Sequence, residues 1–404
     1  MARGFSSIQD AVAAIADGEV IIVVDAEDRE NEGDFVCAAE KVNPEKLNFI
    51  MGGRGMLCVP VLPEISRRLE LTPQEEHRRD RLGTAWMTTL DHKSAKTGIT
   101  AAERSRTIQA IVDPQTTSND FDRPGHVHTL LAKEGGVLRR AGHTEAAVDL
   151  ARMAGLTPAG VICEILDETG DRASRDQLLQ MAEDHDLKII SIESLIAYRR
   201  HSEKLVSRAA EAELPTRFGE FRILVYDVKY ETQEPLALVM GDLSSAVQPP
   251  LVRMHSSCFT GDLVNSLRCD CGDQLHMALE MISREGVGAL VYLPQEGRGI
   301  GLKQKIRAYN LQDDGKDTVE ANHALGFKAD LRDYGVGMQI LKDLGLAEIR
   351  LLTNNSKKTD AFNLRGFDLN VVDQVPIVPP VNQHNAGYLA TKRDKMGHNL
   401  PDSI

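Results

Sequence analysis

Residues 258–276 read CFTGDLVNSLRCDCGDQLH, and this stretch holds three of the chain's six cysteines, namely Cys258, Cys269 and Cys271. Three thiolates in a C-x10-C-x-C spacing leave one zinc coordination position open, as in catalytic zinc sites. Such a site lowers the pKa of a bound water and so makes a nucleophile available. A structural zinc is an alternative, because His255 or His276 could supply a fourth ligand. A disulfide is the third possibility, although reducing compartments favour metal or catalytic roles for cysteine.

Loops rich in glycine, arginine and polar residues follow this cysteine stretch. Residues 295–302 read QEGRGIGL after the apolar run 288–293, and further polar loops cover residues 317–322, 330–337 and 353–358. The free N–H groups of glycine-rich turns and helix starts bind anions. These loops together predict a large polyphosphate ligand. In a nucleotide, the purine would be the part presented to the metal.

The first half of the chain carries an acidic loop, DAEDRENEGD, at residues 25–34. Carboxylates of this kind suit Mg²⁺ or Mn²⁺, although a solvated acidic turn is the alternative. The apolar runs at 20–24 and 35–39 predict buried strands on both sides of the loop, which would place the carboxylates at a sheet edge. Glu164 lies within the apolar run 158–166, and a carboxylate there needs a partner or a metal.

An anion site is predicted at residues 138–150, which read LRRAGHTEAAVDL. Ala141 and Gly142 are small enough to let the backbone approach a ligand, and a helix that begins near Thr144 would present free N–H groups. Arg140 adds a fork-shaped donor, and His143 lies beside it. A capped surface helix with a chance arginine is the alternative.

The remaining patterns outline the order of the elements. Residues 8–16 have helical spacing with Ser7 as the cap, and DRPGH at 122–126 reads as a loop. The charged stretch 201–215 ends in proline, and we place the domain boundary there. Strands at 218–226 and 236–241 are expected to open the second domain.

Length and charge limit the classes of function. With 404 residues, the chain can form two or three domains with buried cores. A net charge of −13 argues against a nucleic-acid or anionic-membrane surface. No apolar run approaches the roughly 20 residues of a membrane span, and the first residues lack a signal-peptide pattern. We therefore expect a cytoplasmic protein whose partners are small molecules, with neither nucleic acid nor a membrane among them.

These motifs resemble those of the bifunctional riboflavin biosynthesis family over nearly the whole chain. DAEDRENEGD, RPGH (123–126) and RRAGHTEAAVDLA (139–151) resemble the motifs of its 3,4-dihydroxy-2-butanone-4-phosphate synthase. C-x10-C-x-CG, QEGRGIGL, DTVEAN (317–322) and LLTNN (351–355) resemble those of its GTP cyclohydrolase II. We expect an α+β fold of two domains, residues 1–203 and 204–404, each a mixed β-sheet flanked by helices. The resemblance also implies a homodimer.

For the first half, the resemblance implies conversion of D-ribulose 5-phosphate to L-3,4-dihydroxy-2-butanone 4-phosphate and formate. Glu30 and His143 would hold Mg²⁺ or Mn²⁺, and His126 and Glu164 would be catalytic. Enolisation of a ketose phosphate needs acid–base groups and a cation near the developing charge. The implied substrate contacts are Arg29, Glu30, Asp34, Arg140, Ala141, Gly142, His143, Thr144 and Glu164.

For the second half, the implied reaction converts GTP to 2,5-diamino-6-(5-phospho-D-ribosylamino)pyrimidin-4(3H)-one, formate and pyrophosphate, with Zn²⁺ on the three cysteines. Arg332 would be the nucleophile on the α-phosphate, Asp330 the proton acceptor, and Tyr309 a neighbour of the reacting carbon. The implied GTP contacts are Arg253, Met254, His255, Ser256, Ser257, Gln274, Glu296, Gly297, Arg298, Thr318, Thr353 and Lys358.

The sequence departs from the family pattern at several positions. Ser257 replaces a glutamate beside the zinc ligand, Pro294 stands where many members have arginine, and Ser356 replaces the proline of TNNPxK. His128 and Thr129 follow RPGH at positions that are more often Phe-Pro. The alternative function is therefore an active synthase with a catalytically inactive, zinc- and GTP-binding second half.

Overall fold

The structure is a computed structural model that describes residues 4–27, 29–75, 83–327, 330, 332, 334–355 and 369–401. The chain separates into two compact units, Met1–Arg199 and Arg200–Ile404. Each unit contains one seven-stranded mixed sheet with helices packed on it, so the expected α+β class is confirmed. The assignment of one enzyme to residues 1–203 and the other to 204–404 stays a prediction.

The first unit alternates strands and helices. Its strands are β1 (Ile21–Val24), β2 (Gly33–Ala38), β3 (Cys58–Val61), β4 (Trp86–His92), β5 (Phe121–Leu131), β6 (Gly160–Glu164) and β7 (Ile189–Ser191). Its helices are α1 (Ile8–Asp17), α2 (Pro44–Met51), α3 (Pro63–Arg68), α4 (Ala101–Val112), α5 (His143–Met153), α6 (Arg175–Asp184) and α7 (Ile192–Ser202). The strands pair in the order β4-β5-β3-β6-β2-β1-β7.

Both faces of this sheet are covered. Along β1, Ile22 and Val24 pack in one core with α2, α4 and α6, whereas Ile21 and Val23 pack in the other with α1 and α5. Because successive side chains of a strand point to opposite faces, a fully apolar strand is the expected pattern for a sheet buried on both sides. The runs at 20–24 and 35–39 are therefore confirmed as buried strands.

The first helix is also confirmed. It begins after Ser7, whose side chain accepts the N–H of Asp10, and ends at Gly18, which has a positive φ of 78°.

The prediction of a loop at 122–126 is wrong, since these residues lie in β5. The pairing of β4 with β5 shifts register between Met87 and Asp91, and such irregularities accommodate proline and glycine within a sheet.

The sheet of the second unit has three antiparallel strand pairings on one side and three parallel pairings on the other. Its strands are β8 (Val206–Thr216), β9 (Gly219–Val228), β10 (Leu236–Met240), β11 (Leu251–Ser256), β12 (Gly288–Leu293), β13 (Glu348–Leu352) and β14 (Asn370–Val375). Its helices are α8 (Cys271–Glu285), α9 (Gly301–Asp313), α10 (Thr318–Ala324), α11 (Gly335–Asp343) and α12 (Ala386–Asp394). The order is β14-β13-β11-β12-β10-β9-β8.

Three parallel strands set the position of the second unit's site. Strand β11 pairs in parallel with both β12 and β13, so the carboxyl ends of all three lie at one edge of the sheet. The segments that leave these ends carry Cys258, Arg298 and Thr353, respectively. Crevices at the carboxyl ends of parallel strands are where ligands bind in α/β sheets.

Strand β8 corrects the interpretation of the charged stretch 201–215. Most of that stretch forms the edge strand of the second sheet, and the side chains of residues 207–213 are exposed. Charged residues are common on exposed edge strands because they discourage pairing with other chains. The apolar alternation that identifies half-buried strands is therefore missing here.

Within the described part of the chain, none of the helices combines the length and apolar composition that a membrane crossing requires.

Candidate active sites

The acidic loop between β1 and β2 is organised by a buried carboxylate. Asp25 accepts the backbone N–H groups of Glu30 at 3.1 Å and Glu32 at 3.0 Å, and it forms an ion pair with Arg29 at 2.9 Å. Arg29 also forms an ion pair with Glu30. The loop therefore folds around Asp25, which fixes the direction of the neighbouring carboxylates.

Two possible cation-binding groups share one histidine. His143 is the first residue of α5, and its Nε2 donates to the carbonyl oxygen of Val23 at 3.1 Å, which leaves Nδ1 as the ligand atom. In each group the ligand atoms lie within 4.8 Å of one another. The groups are Asp25, Glu30 and His143, and Glu32, Asp34 and His143. The structure thus brings the predicted ligands Glu30 and His143 together and adds three carboxylates to them.

The electrostatics of this cluster fit a divalent cation. Burial, and then the nearby charges of Glu164 and Glu32, raise the pKa of Asp34 well above its ordinary value. Asp34 Oδ1 is buried and has no hydrogen-bond partner among the described residues. Burial also lowers the pKa of His143 to about 4, so its ring is neutral at neutral pH. A cation would satisfy the orphaned oxygen and offset the repulsion between the carboxylates.

Glu164 lies beside this cluster because β6 pairs with β2. The antiparallel register places Glu164 opposite Asp34, and the Oε2 of Glu164 accepts the N–H of Met56 at 2.6 Å. Gly55 leaves room for this carboxylate, since a Cβ at Gly55 would lie 2.5 Å from both the backbone oxygen and Oε2 of Glu164. The backbone at 55–56 therefore fixes the direction of Glu164.

In the predicted anion pocket, a carboxylate compensates the charge of Arg140. Arg140 forms an ion pair with Glu145 at 2.7 Å and donates to Thr84 at 2.8 Å. Burial and the charge of Arg140 lower the pKa of Arg29, so two guanidinium groups converge on this region. Helix α5 begins one residue before the predicted start, and Ala141, Gly142 and Thr144 surround that start.

His126 lies outside the acidic cluster. It belongs to β5, which is separated from β6 by β3. Its Nδ1 lies 2.6 Å from Asp91 Oδ2, and its backbone N–H donates to Asp91 Oδ1 at 3.0 Å. Since Asp91 fixes the proton on Nδ1, the other ring nitrogen remains for proton transfer. Sequence reasoning missed Asp91, which precedes His126 by 35 residues and becomes a neighbour only through the pairing of β4 and β5.

In the second unit, the three cysteines converge. Cys258 follows β11, Cys271 begins α8, and the sulfur atoms of Cys258, Cys269 and Cys271 lie within 4.8 Å of one another. Cys258 Sγ and Cys269 Sγ are 3.7 Å apart, well beyond the roughly 2.05 Å of a disulfide. All six cysteines are free. The disulfide alternative is therefore wrong for this structure.

The two histidines that could close a structural zinc site have other partners. His255 pairs with Asp262 at 3.1 Å and stacks on Tyr292. His276 packs against Phe218. Among the described residues, neither joins the three sulfur atoms. The thiol cluster therefore has an open position, which the catalytic alternative requires.

Lys305 supports the thiol cluster. Its Nζ lies 3.0 Å from Cys258 Sγ and 2.8 Å from Glu296 Oε1. Hydrogen bonds from Cys269 and Cys271, together with Lys305, lower the pKa of Cys258 far below its ordinary value. These partners favour the thiolate form of Cys258. This distribution of charge suits a cationic metal ion.

A cavity opens beside the sulfur atoms. Many of the predicted GTP contacts line it: Arg253, His255, Ser256, Ser257, Gln274, Gly297, Arg298, Thr318 and Thr353. Tyr309, Arg332 and the three cysteines line it as well. Met254 packs in the core of the sheet, and Glu296 accepts the N–H of Phe259 at 2.6 Å. Lys358 lies outside the described residues.

Asp330 and Arg332 form a close pair at this cavity. The Nε of Arg332 donates to Asp330 Oδ1 at 2.9 Å, and a second bond joins the other pair of atoms. Burial opposes the charged guanidinium, but the hydrogen bonds to Asp330 outweigh it and raise the pKa of Arg332. The pair therefore holds Arg332 as a cation.

Several residues of the cavity were missed by sequence reasoning. They are Arg268, Lys305, Asn322, Tyr388 and Lys392. Lys305 lies four residues before Tyr309 in α9, a spacing that places both on one helix face and could have identified it. Tyr388 and Lys392 carry no such signal, because they lie far along the chain from the predicted motifs.

Two family models match the chain. The model of 3,4-dihydroxy-2-butanone 4-phosphate synthase matches residues 9–198, and that of GTP cyclohydrolase II matches residues 207–376. The riboflavin biosynthesis protein RibBA of Bacillus mycoides is 54% identical over 397 residues, covering 98% of this chain and 99% of its own length. RibBA of Bacillus cereus is 55% identical over the same coverage.

A solved structure shares the two-unit architecture. It is RibBX from A. baumannii, described as a two-domain 3,4-dihydroxy-2-butanone 4-phosphate synthase. The chain matches it with 34% identity and a TM-score of 0.70, over 92% of this chain and 100% of that one.

Proposed function

The chain belongs to the family of bifunctional riboflavin biosynthesis proteins, and from that premise we propose how its residues divide the two reactions. It is a 3,4-dihydroxy-2-butanone-4-phosphate synthase and a GTP cyclohydrolase II. Residues 1–203 would convert D-ribulose 5-phosphate, and residues 204–404 would convert GTP. Each half would act on its own small-molecule substrate.

In the first half, the acidic cluster would hold Mg²⁺ or Mn²⁺. Glu30 and His143 would be ligands, with Asp25, Glu32 and Asp34 near enough to contribute directly or through water. A divalent cation there would polarise the carbonyl oxygen of the substrate and stabilise an enediolate. The orphaned, buried Asp34 Oδ1 supports this assignment.

Proton transfer in that half would fall to carboxylate and imidazole groups. Burial and its acidic neighbours raise the pKa of Asp34, whereas a cation bound beside it would favour the ionised carboxylate. Glu164, directed by the N–H of Met56, would move protons at the carbon chain. His126 would act with Asp91 behind it. Arg29 and Arg140 would receive the substrate phosphate.

In the second half, Cys258, Cys269 and Cys271 would hold Zn²⁺, which would supply a water of lowered pKa for attack on the purine. Arg298, Thr318 and Thr353 would orient the nucleotide from three loops that line the cavity. Lys305 would stabilise the thiolate charge of Cys258, and Tyr309 would face the purine beside the sulfur atoms.

Arg332 would bind a phosphate as a cation. Its pair with Asp330 keeps the guanidinium protonated, and a planar cation with several N–H groups suits phosphate oxygens. The nucleophilic role that the family resemblance implies for Arg332 stays a prediction. It requires Asp330 to accept a proton from a group whose pKa is raised.

The convergence of three thiols with an open position and the arginines of one cavity carries the proposal for the second half. The test measures GTP-dependent formate release and bound zinc in the chain and in Cys269→Ser. We expect the variant to lose zinc and GTP turnover while ribulose 5-phosphate turnover in the same chain is unchanged. Formate release from GTP by a zinc-free variant would overturn the assignment.

We also propose that the protein is a cytoplasmic homodimer. The side chain of His126 is 45% exposed and lies away from the acidic cluster, which would let it serve a site on a second copy. Sedimentation would give the mass of the assembly. Mixing His126→Ala with Glu164→Gln would then restore synthase activity only if the site combines two copies.

A further inference from the structure

The segment 385–400 forms one wall of the GTP cavity, although the match to the cyclohydrolase family model ends at residue 376. Four of its residues line the cavity: Tyr388, Lys392, Met396 and His398. Leu389 and Leu400 anchor the segment, since they are 0% and 8% exposed. Part of the cavity is therefore built by chain that the family match does not cover.

Helix α12 is tied to the segment that carries two of the thiols. Lys392 Nζ lies 2.7 Å and 2.9 Å from the two carboxylate oxygens of Asp270, and both residues are buried. Asp270 stands between Cys269 and Cys271 and is the N-cap of α8. A buried lysine of α12 thus holds the residue that separates two zinc-ligand candidates.

The same carboxylate continues into a buried hydrogen-bond chain. Gln274 Nε2 donates to Asp270 at 2.6 Å, and Arg253 donates to the Oε1 of Gln274. Arg253 Nη1 then donates to the carbonyl oxygen of Leu352 at 2.7 Å. The contact between Lys392 and Asp270 is therefore the outer link of a chain that reaches Arg253 within β11 and Leu352 at the end of β13.

Two further contacts fasten the segment to loops of the cavity. Lys395 pairs with Glu320 at 2.9 Å and with Asp317, at the start of α10 beside Thr318. Asn399 donates its N–H to the carbonyl oxygen of Asn354 at 2.7 Å. The segment therefore contacts the zinc-ligand segment and two of the loops proposed to bind GTP.

We propose that Lys392 is a positioning residue of the cyclohydrolase, which acts through Asp270 to hold Cys269 and Cys271 in the arrangement that zinc requires. This inference rests on the zinc site of the proposed function. Removal of a residue that hydrogen-bonds to a metal-ligand segment and orients it commonly lowers metal affinity by about 10- to 100-fold. Because coupling between two sites is reciprocal, zinc binding must also stabilise α12.

The first test compares Lys392→Met with Arg393→Met. The second variant removes a cation from the same helix, where Arg393 pairs with its neighbour Asp394. Zinc affinity is measured by competition with a chromogenic chelator, alongside kcat for GTP. In Lys392→Met we expect zinc affinity to fall about 10- to 100-fold and kcat to recover when zinc is in excess. Equal zinc affinity in the two variants would overturn the inference.

The second test uses the unaltered chain and so does not depend on the folding of a variant. Hydrogen exchange of residues 386–394 is compared with zinc bound and after chelation, with β9 as the reference. We expect exchange in α12 to accelerate at least tenfold on zinc removal, and unchanged exchange would overturn the inference. If the unaltered chain binds no zinc, the proposed zinc site fails instead, and the two failures are thus distinguishable.

Discussion

Asp91→Asn tests how His126 is prepared for proton transfer. Asp91 accepts two hydrogen bonds from the same histidine, one from the backbone N–H at 3.0 Å and one from Nδ1–H at 2.6 Å. Asparagine keeps the shape but has only one accepting oxygen. If that oxygen still accepts the backbone N–H, the amide NH₂ faces Nδ1 and forces the proton onto Nε2. Nε2 then faces the substrate as a proton donor instead of a proton acceptor.

The size of the effect follows from the alternative orientation. If the amide turns so that its oxygen accepts Nδ1–H, the backbone N–H of His126 loses its acceptor, which costs about 1–2 kcal/mol at this partly exposed position. The productive tautomer therefore becomes about 5- to 30-fold rarer, and kcat for ribulose 5-phosphate should fall by that factor. KM should change little, because neither side chain is proposed to hold the phosphate.

The assay measures formate release from ribulose 5-phosphate, with GTP turnover by the same molecules as an internal standard. Asp122→Asn is the matched control, because Asp122 faces Asp91 in the β4–β5 register but is exposed. A kcat within twofold of the unaltered chain would refute the tautomer argument. A rise in KM alone would do so too, since it would indicate a loss of binding rather than of proton transfer.

Three further predictions concern the first unit. Arg199→Met should lower the free energy of unfolding by about 3 kcal/mol, since it leaves the buried Asp149 with fewer partners; urea unfolding that is unchanged would contradict this. Gly55→Ala should abolish ribulose 5-phosphate turnover without affecting GTP turnover, because its Cβ would lie 2.5 Å from Glu164 Oε2. Hydrogen bonds from Lys96 and Thr97 lower the pKa of Glu103 to about 2. The ionised Glu103 therefore stabilises the fold fully above about pH 4.5, and this stabilisation is lost as the pH falls towards 2. A carboxyl titration by NMR with a midpoint near 4.5 would exclude this.

The order of elements could be predicted where local patterns are strong. The start of helix α1 could be predicted from its cap Ser7 and its end from Gly18. The fully apolar runs could be predicted as strands buried on both faces. Strand β8 could not be predicted, because an exposed edge strand gains its order from pairing with β9 rather than from burial of its own side chains.

Some residues of the candidate sites could likewise be predicted from local sequence, and others could not. Glu30 and His143, and the three cysteines, lie in distinctive motifs, and the structure brings each set together. Asp91 and Lys392 lie in ordinary sequence, and only the folded chain reveals their neighbours. Partners of this second kind depend on strand register and helix packing, which a single sequence does not specify locally.

The two clusters of ligands also differ in the length of chain that each must gather. The thiols lie within 14 residues, from Cys258 to Cys271, whereas the carboxylates and His143 span 119 residues from Asp25 onwards. Closing the longer loop costs about 2 kcal/mol more in chain entropy. The acidic cluster also requires α5 to be packed beside β1, because His143 at the start of α5 donates to the carbonyl oxygen of Val23 in β1. The proposed zinc site therefore depends on a short, nearly local segment of the chain, whereas the proposed cation site of the acidic cluster depends on the assembled sheet.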